Sequence, residues 1–197
     1  MREILIIVKG VFPDMIESLD CLREGARSGV YGPLESAVAR CRNIRVSEKA
    51  LASMAGYARA VPAAADFASI PGHIGRISGY LQVIANAIAV KNRENILFSE
   101  KAMDEIDLLF ARLRELMEMA LTAVCGVSGE VAGGISGVER AAAVLDASAG
   151  EFLVFHEERL LEGLCLPKAS SLYVEMVDGF KAISWHLKEM ARKAAGV

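Results

Sequence analysis

The three histidines, His73, His156 and His186, are the side chains with the widest range of chemistry in this sequence. A zinc-protease motif needs a second histidine four residues after the first, and the residue four after His156 is Leu160. A carboxylate-bridged di-iron bundle needs a glutamate three residues before each histidine, and none of the three has one. The histidines therefore predict neither of these metal sites.

Serine, cysteine and glycine patterns add no catalytic or phosphate-binding motif. The segment from Gly126 to Gly137 contains five glycines, but it lacks the Lys-Ser/Thr of a P-loop and follows no predicted strand, which favours a linker. No nucleophile and base can be paired from the sequence, which predicts that the chain is not an enzyme. Reduced core thiols are predicted for four cysteines that include no C-x-x-C pair: Cys21, Cys41, Cys125 and Cys165.

Composition limits the classes of partner and the location. The chain has 197 residues, of which 53% are apolar, and its mean hydropathy is +0.34. No window of about 18 residues lacks charged or strongly polar groups, so we expect no membrane-spanning helix. The apolar run near Met1 is too short for a secretory signal, which predicts a cytoplasmic location. Net charge is −3 with basic and acidic residues interleaved, which argues against nucleic-acid binding.

The first half of the chain predicts three helices. Pro13 and Asp14 are expected to open helix one, which ends near Gly29, and residues 1–12 are either an extended segment or the start of this helix. Helix two is expected from Gly32 to about Val61, before the break at Pro62. Helix three carries an apolar seam with spacings of four and three. The seam residues are Ile70, Ile74, Ile77, Leu81, Ile84 and Ile88.

The second half predicts three more helices. Ser99 is expected to cap helix four, whose outer face is predicted to be charged and to include Glu105. A capping box beginning at Ser136 is expected to start helix five, which ends near Gly163. Helix six is expected to begin at Ser170 or Ser171, after a connection that contains Pro167. Its apolar stripe consists of Tyr173, Met176, Val177, Phe180, Ile183, Leu187, Met190 and Ala194.

A weak internal repeat organises these helices. A shift of 106 residues places Ile77 on Ile183 and carries helices one to three onto helices four to six. The predicted fold is therefore all-α, with two tandem three-helix bundles. Residues 1–98 form the first repeat and residues 99–197 the second, within one compact domain.

Three segments, in order, resemble the PhoU family of phosphate-uptake regulators. Arg159, Leu160, Gly163 and Cys165 match the family pattern R-L-x-x-G-x-C, with Ile183 and His186 following in the long final helix. The run 62–70 is similar to its P-x-A-x-D-L-R-x-I lead into helix three, and 98–102 to its F-S-E-x-A start of the next repeat. The resemblance covers about residues 34–191. Within the family, the sequence is most similar to the divergent PhoU-like domains of sodium/phosphate cotransporters.

The resemblance implies a regulatory module in the cytoplasm, either free or at the periphery of the inner membrane. Such a module contacts a transporter or a sensor kinase. Family members hold iron or zinc with acids on the third helix of each repeat. This chain has G-R-I-S-G at 75–79 and K-A-I-S-W at 181–185, so we expect no metal and no other cofactor. Glu35, Glu139 and Asp146 match other acidic positions of the family and are interpreted as surface acids. The alternative function is phosphotransfer on His186, which resembles a phosphotransfer histidine on a helical bundle.

The candidate interaction surface combines one face of helix three with one face of helix six. Gly72, Gly75 and Gly79 project opposite the isoleucine seam, and three mid-helix glycines indicate that something approaches the backbone closely. The same projection places Trp185 opposite the seam of helix six, with Val174 and Lys181 beside it. Two interpretations remain open. The faces bind a second copy in a homodimer or a transporter, or the glycines admit a helix of the same chain and a loop covers the tryptophan.

Overall fold

The computed structural model describes residues 2–58, 66–126 and 131–196 and contains no strand within them. The predicted all-α fold is confirmed. The break at Pro62 and the last residues predicted for helix two lie outside the described ranges. Six α-helices and one short 3-10 turn, Asp66–Ser69, account for most of the described chain. The helices are α1 Arg2–Ser28, α2 Tyr31–Ala58, α3 Ile70–Arg93, α4 Glu100–Cys125, α5 Val131–Leu161 and α6 Pro167–Ala195.

One hydrophobic core joins all six helices. Helices α1, α2 and α3 pack on one another, as do α4, α5 and α6, and this pairing fits the tandem arrangement. Extensive contacts of α3 with α6 and of α1 with α4 also connect the halves, so the buried apolar residues form a single cluster. Every residue of the predicted α3 seam is fully buried. None of the helices in the described ranges is both long and apolar enough to cross a membrane.

Of the two alternatives left open for residues 1–12, the structure shows the start of helix α1 and not an extended segment, and the expectation that Pro13 opens the helix is wrong. Residues 2–12 are helical, and Pro13 lies inside the helix. Asp14 does not cap it but accepts a hydrogen bond from Arg40 of α2 at 3.1 Å. The helix continues through the proline because burial of its apolar stripe outweighs the lost backbone hydrogen bond. The buried stripe on both sides of Pro13 consists of Val8, Val11, Phe12, Met15, Leu19 and Leu22.

Helix α5 also begins earlier than expected, at Val131, so the predicted cap at Ser136 is wrong. Gly133, Gly134 and Gly137 belong to the helix rather than to a linker. A Cβ on Gly137 would lie only 2.8 Å from Met119 Cε of α4, and one on Gly134 would lie 3.5 Å from the Cβ of Ala123. Both glycines therefore face α4, with Gly134 in ordinary van der Waals range of Ala123 and Gly137 against the flexible end of Met119.

The start of α4 and the end of α5 were predicted correctly, and the start of α6 was not. Ser99 accepts a hydrogen bond from the backbone N–H of Ala102 at 3.2 Å and caps α4. Gly163, with φ of +71°, follows the end of α5. Helix α6 begins at Pro167 instead of at a serine cap, because proline lacks the N–H that a first helical residue would leave unbonded.

Candidate functional site

The three glycines of α3 line a surface groove of about 490 Å³, here called the glycine groove. Arg45 and Glu48 of α2 form its other wall. A Cβ on Gly75 would lie 3.2 Å from Glu48 Cδ, and one on Gly79 would lie 3.7 Å from Arg45 Nη2. Among the described residues, no atom lies within 4 Å of a Cβ on Gly72. The glycines thus admit α2 side chains at one end of the strip, and at the other end no described residue fills the space.

A second groove, of about 620 Å³, lies between α3 and α6 and shares Gly72 with the first. His73 and His186, here called the histidine pair, face each other in it with their Nδ1 atoms 3.0 Å apart. The ring of Trp185 lies against both, with centroids 5.8 Å from His73 and 4.8 Å from His186. The ring of Tyr80 also lies near His186, with centroids 5.9 Å apart. The two histidines are 113 residues apart in sequence, so the packing of α3 on α6 creates this site.

Burial favours the neutral form of both imidazoles. It lowers the pKa of His186 to about 4, with further lowering by the neighbouring His73 and Arg76, while Glu189 acts in the opposite direction. Burial also lowers the pKa of His73, again opposed by Glu189. Two neutral rings can share one Nδ1 proton, which one donates and the other accepts.

Only part of the predicted interaction surface is brought together. Trp185 is 49% exposed, as the helical projection predicted, and the rings of the histidine pair lie beside it. Gly72 lines both grooves and connects Trp185 to the glycine strip. Val174 and Lys181 are half-buried on α6 and are not among the residues lining either groove. The surface therefore extends from Trp185 toward α2 rather than along α6.

A buried polar network at the other end of α6 was missed by the sequence analysis. Glu105, expected on the charged outer face of α4, is 5% exposed, so that expectation is wrong. Both of its carboxylate oxygens accept hydrogen bonds from Arg159 of α5, at 2.8 and 2.6 Å, and Tyr173 Oη of α6 donates to Oε2 at 2.6 Å. The His156 ring stacks on Tyr173 at 4.3 Å. The network fastens three helices, which gives the matched arginine of R-L-x-x-G-x-C a structural role.

The carboxylates matched to acidic family positions are not assembled into a metal site. Glu139 pairs with Arg192 at 2.6 Å, whereas Glu35 is exposed and Asp146 is half-buried. Among the described residues, no group of three or more His, Cys, Asp or Glu side chains is placed to hold an ion. The arrangement is best suited to binding, because the two grooves combine open volume with arginine, glutamate and aromatic side chains.

No family model matches the chain, and neither a curated protein nor a solved structure matches it.

Proposed function

We propose that the chain is a non-enzymatic regulatory module of the PhoU type that acts in phosphate transport or its signalling. In this proposal it works in the cytoplasm, without the family's carboxylate-held iron or zinc. It docks on a protein partner through the glycine groove, the partner being a second copy of the chain, a transporter or a sensor kinase. The phosphate connection comes from the resemblance of residues 34–191, and the docking site comes from the groove.

The observation that carries the docking proposal is the open end of the glycine groove. Glycines at positions 72, 75 and 79 remove side chains from one helix face, and no atom of the described residues lies within 4 Å of the Cβ position of Gly72. An approaching helix can therefore reach the α3 backbone. The exposed Trp185 supplies an aromatic side chain at the edge of the same surface, and such residues contribute strongly to protein interfaces.

Filling the groove tests the proposal. Gly72→Leu places a large side chain in the open space, and Trp185→Ala removes the aromatic group. Each is expected to weaken self-association by at least about 1 kcal/mol, roughly fivefold in Kd, in sedimentation equilibrium. In the source organism, the same variants are expected not to restore regulated uptake of radiolabelled phosphate when they replace the wild-type chain.

Gly10→Leu is the matched control. Gly10 is also a helical glycine with nothing within 4 Å of its Cβ position, but it lies on α1, outside the groove. If Gly72→Leu behaves like Gly10→Leu in both measurements, docking through the groove is wrong. If deletion of the whole chain leaves phosphate uptake unchanged, the regulatory function is wrong as well.

Phosphotransfer on His186 is the second candidate function, and the neutral state of its imidazole favours it. A neutral ring can offer a nucleophilic nitrogen, and Arg76 lies close enough to influence its charge. Against it, Trp185 and Tyr80 lie against the ring and restrict access. An acid-labile phosphate that forms with a kinase and ATP, and is lost in His186→Phe, would support this function over the regulatory one.

A further inference from the structure

The histidine pair has the geometry of two ligands to one metal ion. Zinc and similar ions bind imidazole nitrogen at about 2.0–2.1 Å, so two nitrogens on one ion lie about 3.3 Å apart in a tetrahedral site and about 2.9 Å apart at a right angle. The observed Nδ1 separation is 3.0 Å. The spacing of the two nitrogens therefore fits a single ion in place of the hydrogen bond between His73 and His186, once both rings turn their Nδ1 lone pairs toward it.

The acidic side chain that acts on both rings of the pair is Glu189. Glu189 lies one turn after His186 on α6, and its charge acts on both imidazoles. Its carboxylate has a 3.4 Å contact with Arg192, whose guanidinium makes closer contacts with Glu139. Within the described residues three donors do not yet converge, so Glu189 must rotate toward the pair.

We propose that His73 and His186 bind a borderline divalent ion such as Zn²⁺, Ni²⁺ or Cu²⁺ through their Nδ1 atoms, with Glu189 as the third protein ligand. Remaining positions on the ion face the 620 Å³ groove and take water. This site differs in residues and chemistry from the carboxylate sites expected from the resemblance, and it does not depend on the proposed regulatory function.

Neighbouring charges and the type of ligand decide which ions bind. Each imidazole offers its Nδ1 lone pair when its ring proton is on Nε2. Arg76 and Lys193 place positive charge near the rings, opposed by the single negative charge of Glu189. Such a site favours ions that bind imidazole strongly and disfavours Mg²⁺ and Ca²⁺, which require several oxygen ligands.

Trp185 provides a direct assay because it is the only tryptophan and its ring lies against both histidines. Titration of tag-free, metal-free protein with Ni²⁺ or Cu²⁺ is expected to quench its fluorescence to saturation at one ion per chain. Excess Zn²⁺ is expected to displace Ni²⁺ and restore the fluorescence, whereas Mg²⁺ is not.

Variants assign the ligands. His73→Phe and His186→Phe keep an aromatic ring in the cluster. Each is expected to raise the half-saturating Ni²⁺ concentration at least about tenfold, because even residues that only support a metal ligand typically lower metal affinity by that factor when they are replaced. Glu189→Gln is expected to raise it less. The control Glu175→Gln, at an exposed position of the same helix, is expected to leave it unchanged.

A second measurement uses the wild-type chain alone. Bound Zn²⁺ is expected to protect His73 and His186 from diethylpyrocarbonate, as read by peptide mass spectrometry, and to leave the modification of His156 unchanged. Equal quenching of wild type and both phenylalanine variants, or no protection of the pair by Zn²⁺, overturns the proposal. These outcomes leave the groove-docking experiments unaffected, so the two proposals fail independently.

Discussion

Arg159→Met removes one partner of the buried Glu105–Arg159 pair. The two side chains are 6% and 11% exposed, and the substitution leaves the Tyr173 hydroxyl as the hydrogen-bond donor to the Glu105 carboxylate in this network. Breaking a buried ion pair on one side costs about 3–5 kcal/mol, because the remaining charge stays desolvated. The entropy of unfolding for 197 residues is about 0.41 kcal/mol per kelvin, so the midpoint should fall by about 7–12 °C.

Thermal and urea unfolding, followed by circular dichroism, measure this loss. Arg114→Met is the matched control, because Arg114 pairs with Asp20 and Glu118 at the surface and its loss should change the midpoint little. Adding Glu105→Gln to Arg159→Met should recover at least about 1 kcal/mol, since the uncompensated charge disappears. Equal losses in the two arginine variants, or additive losses in the double variant, would refute the structural role of the network.

Two more predictions concern the contact between α3 and α6. The pKa of His186 is about 4 in the folded state and near 6.5 when unfolded, so the folded chain binds fewer protons in between. Stability should therefore fall as the pH falls from 6.5 toward 4, and His186→Phe should flatten this dependence in thermal melts relative to wild type. Gly179→Ala should lower stability by about 1–3 kcal/mol in urea unfolding, since its Cβ would lie 2.9 Å from Ile84 Cγ1, and a stability equal to wild type would contradict close packing there.

The helices were predicted well because apolar spacing, capping residues and glycines within a few turns of the chain largely determine where a helix forms. The α3 seam, the Ser99 cap and the glycine after α5 each depend on residues within a few turns of the chain. Pro13 lies inside α1 because the burial of apolar residues on both sides of it outweighs the nearby capping signal, and α5 begins at Val131, before the expected cap at Ser136. Propensity alone does not include that tertiary contribution.

The sites depended on contacts that a single helix does not reveal. Projection of α4 placed Glu105 outside, but α4 packs against α1, α5 and α6, which leaves it a narrower exposed face than the projection assumed. The histidine pair similarly requires α3 and α6 to be docked in one register. Trp185 was placed correctly because exposure opposite a seam follows from helical periodicity.

The single core has a consequence for how this protein responds to a break in its backbone. The exposed connection between α3 and α4 joins the halves in sequence, but the contacts of α3 with α6 and of α1 with α4 join them physically. A nick there turns the molecule into a two-chain complex whose survival depends on concentration, because each fragment alone presents an uncovered apolar face to water. The fold is accordingly suited to split-protein reassembly, in which the hydrophobic core forms only when both fragments are present.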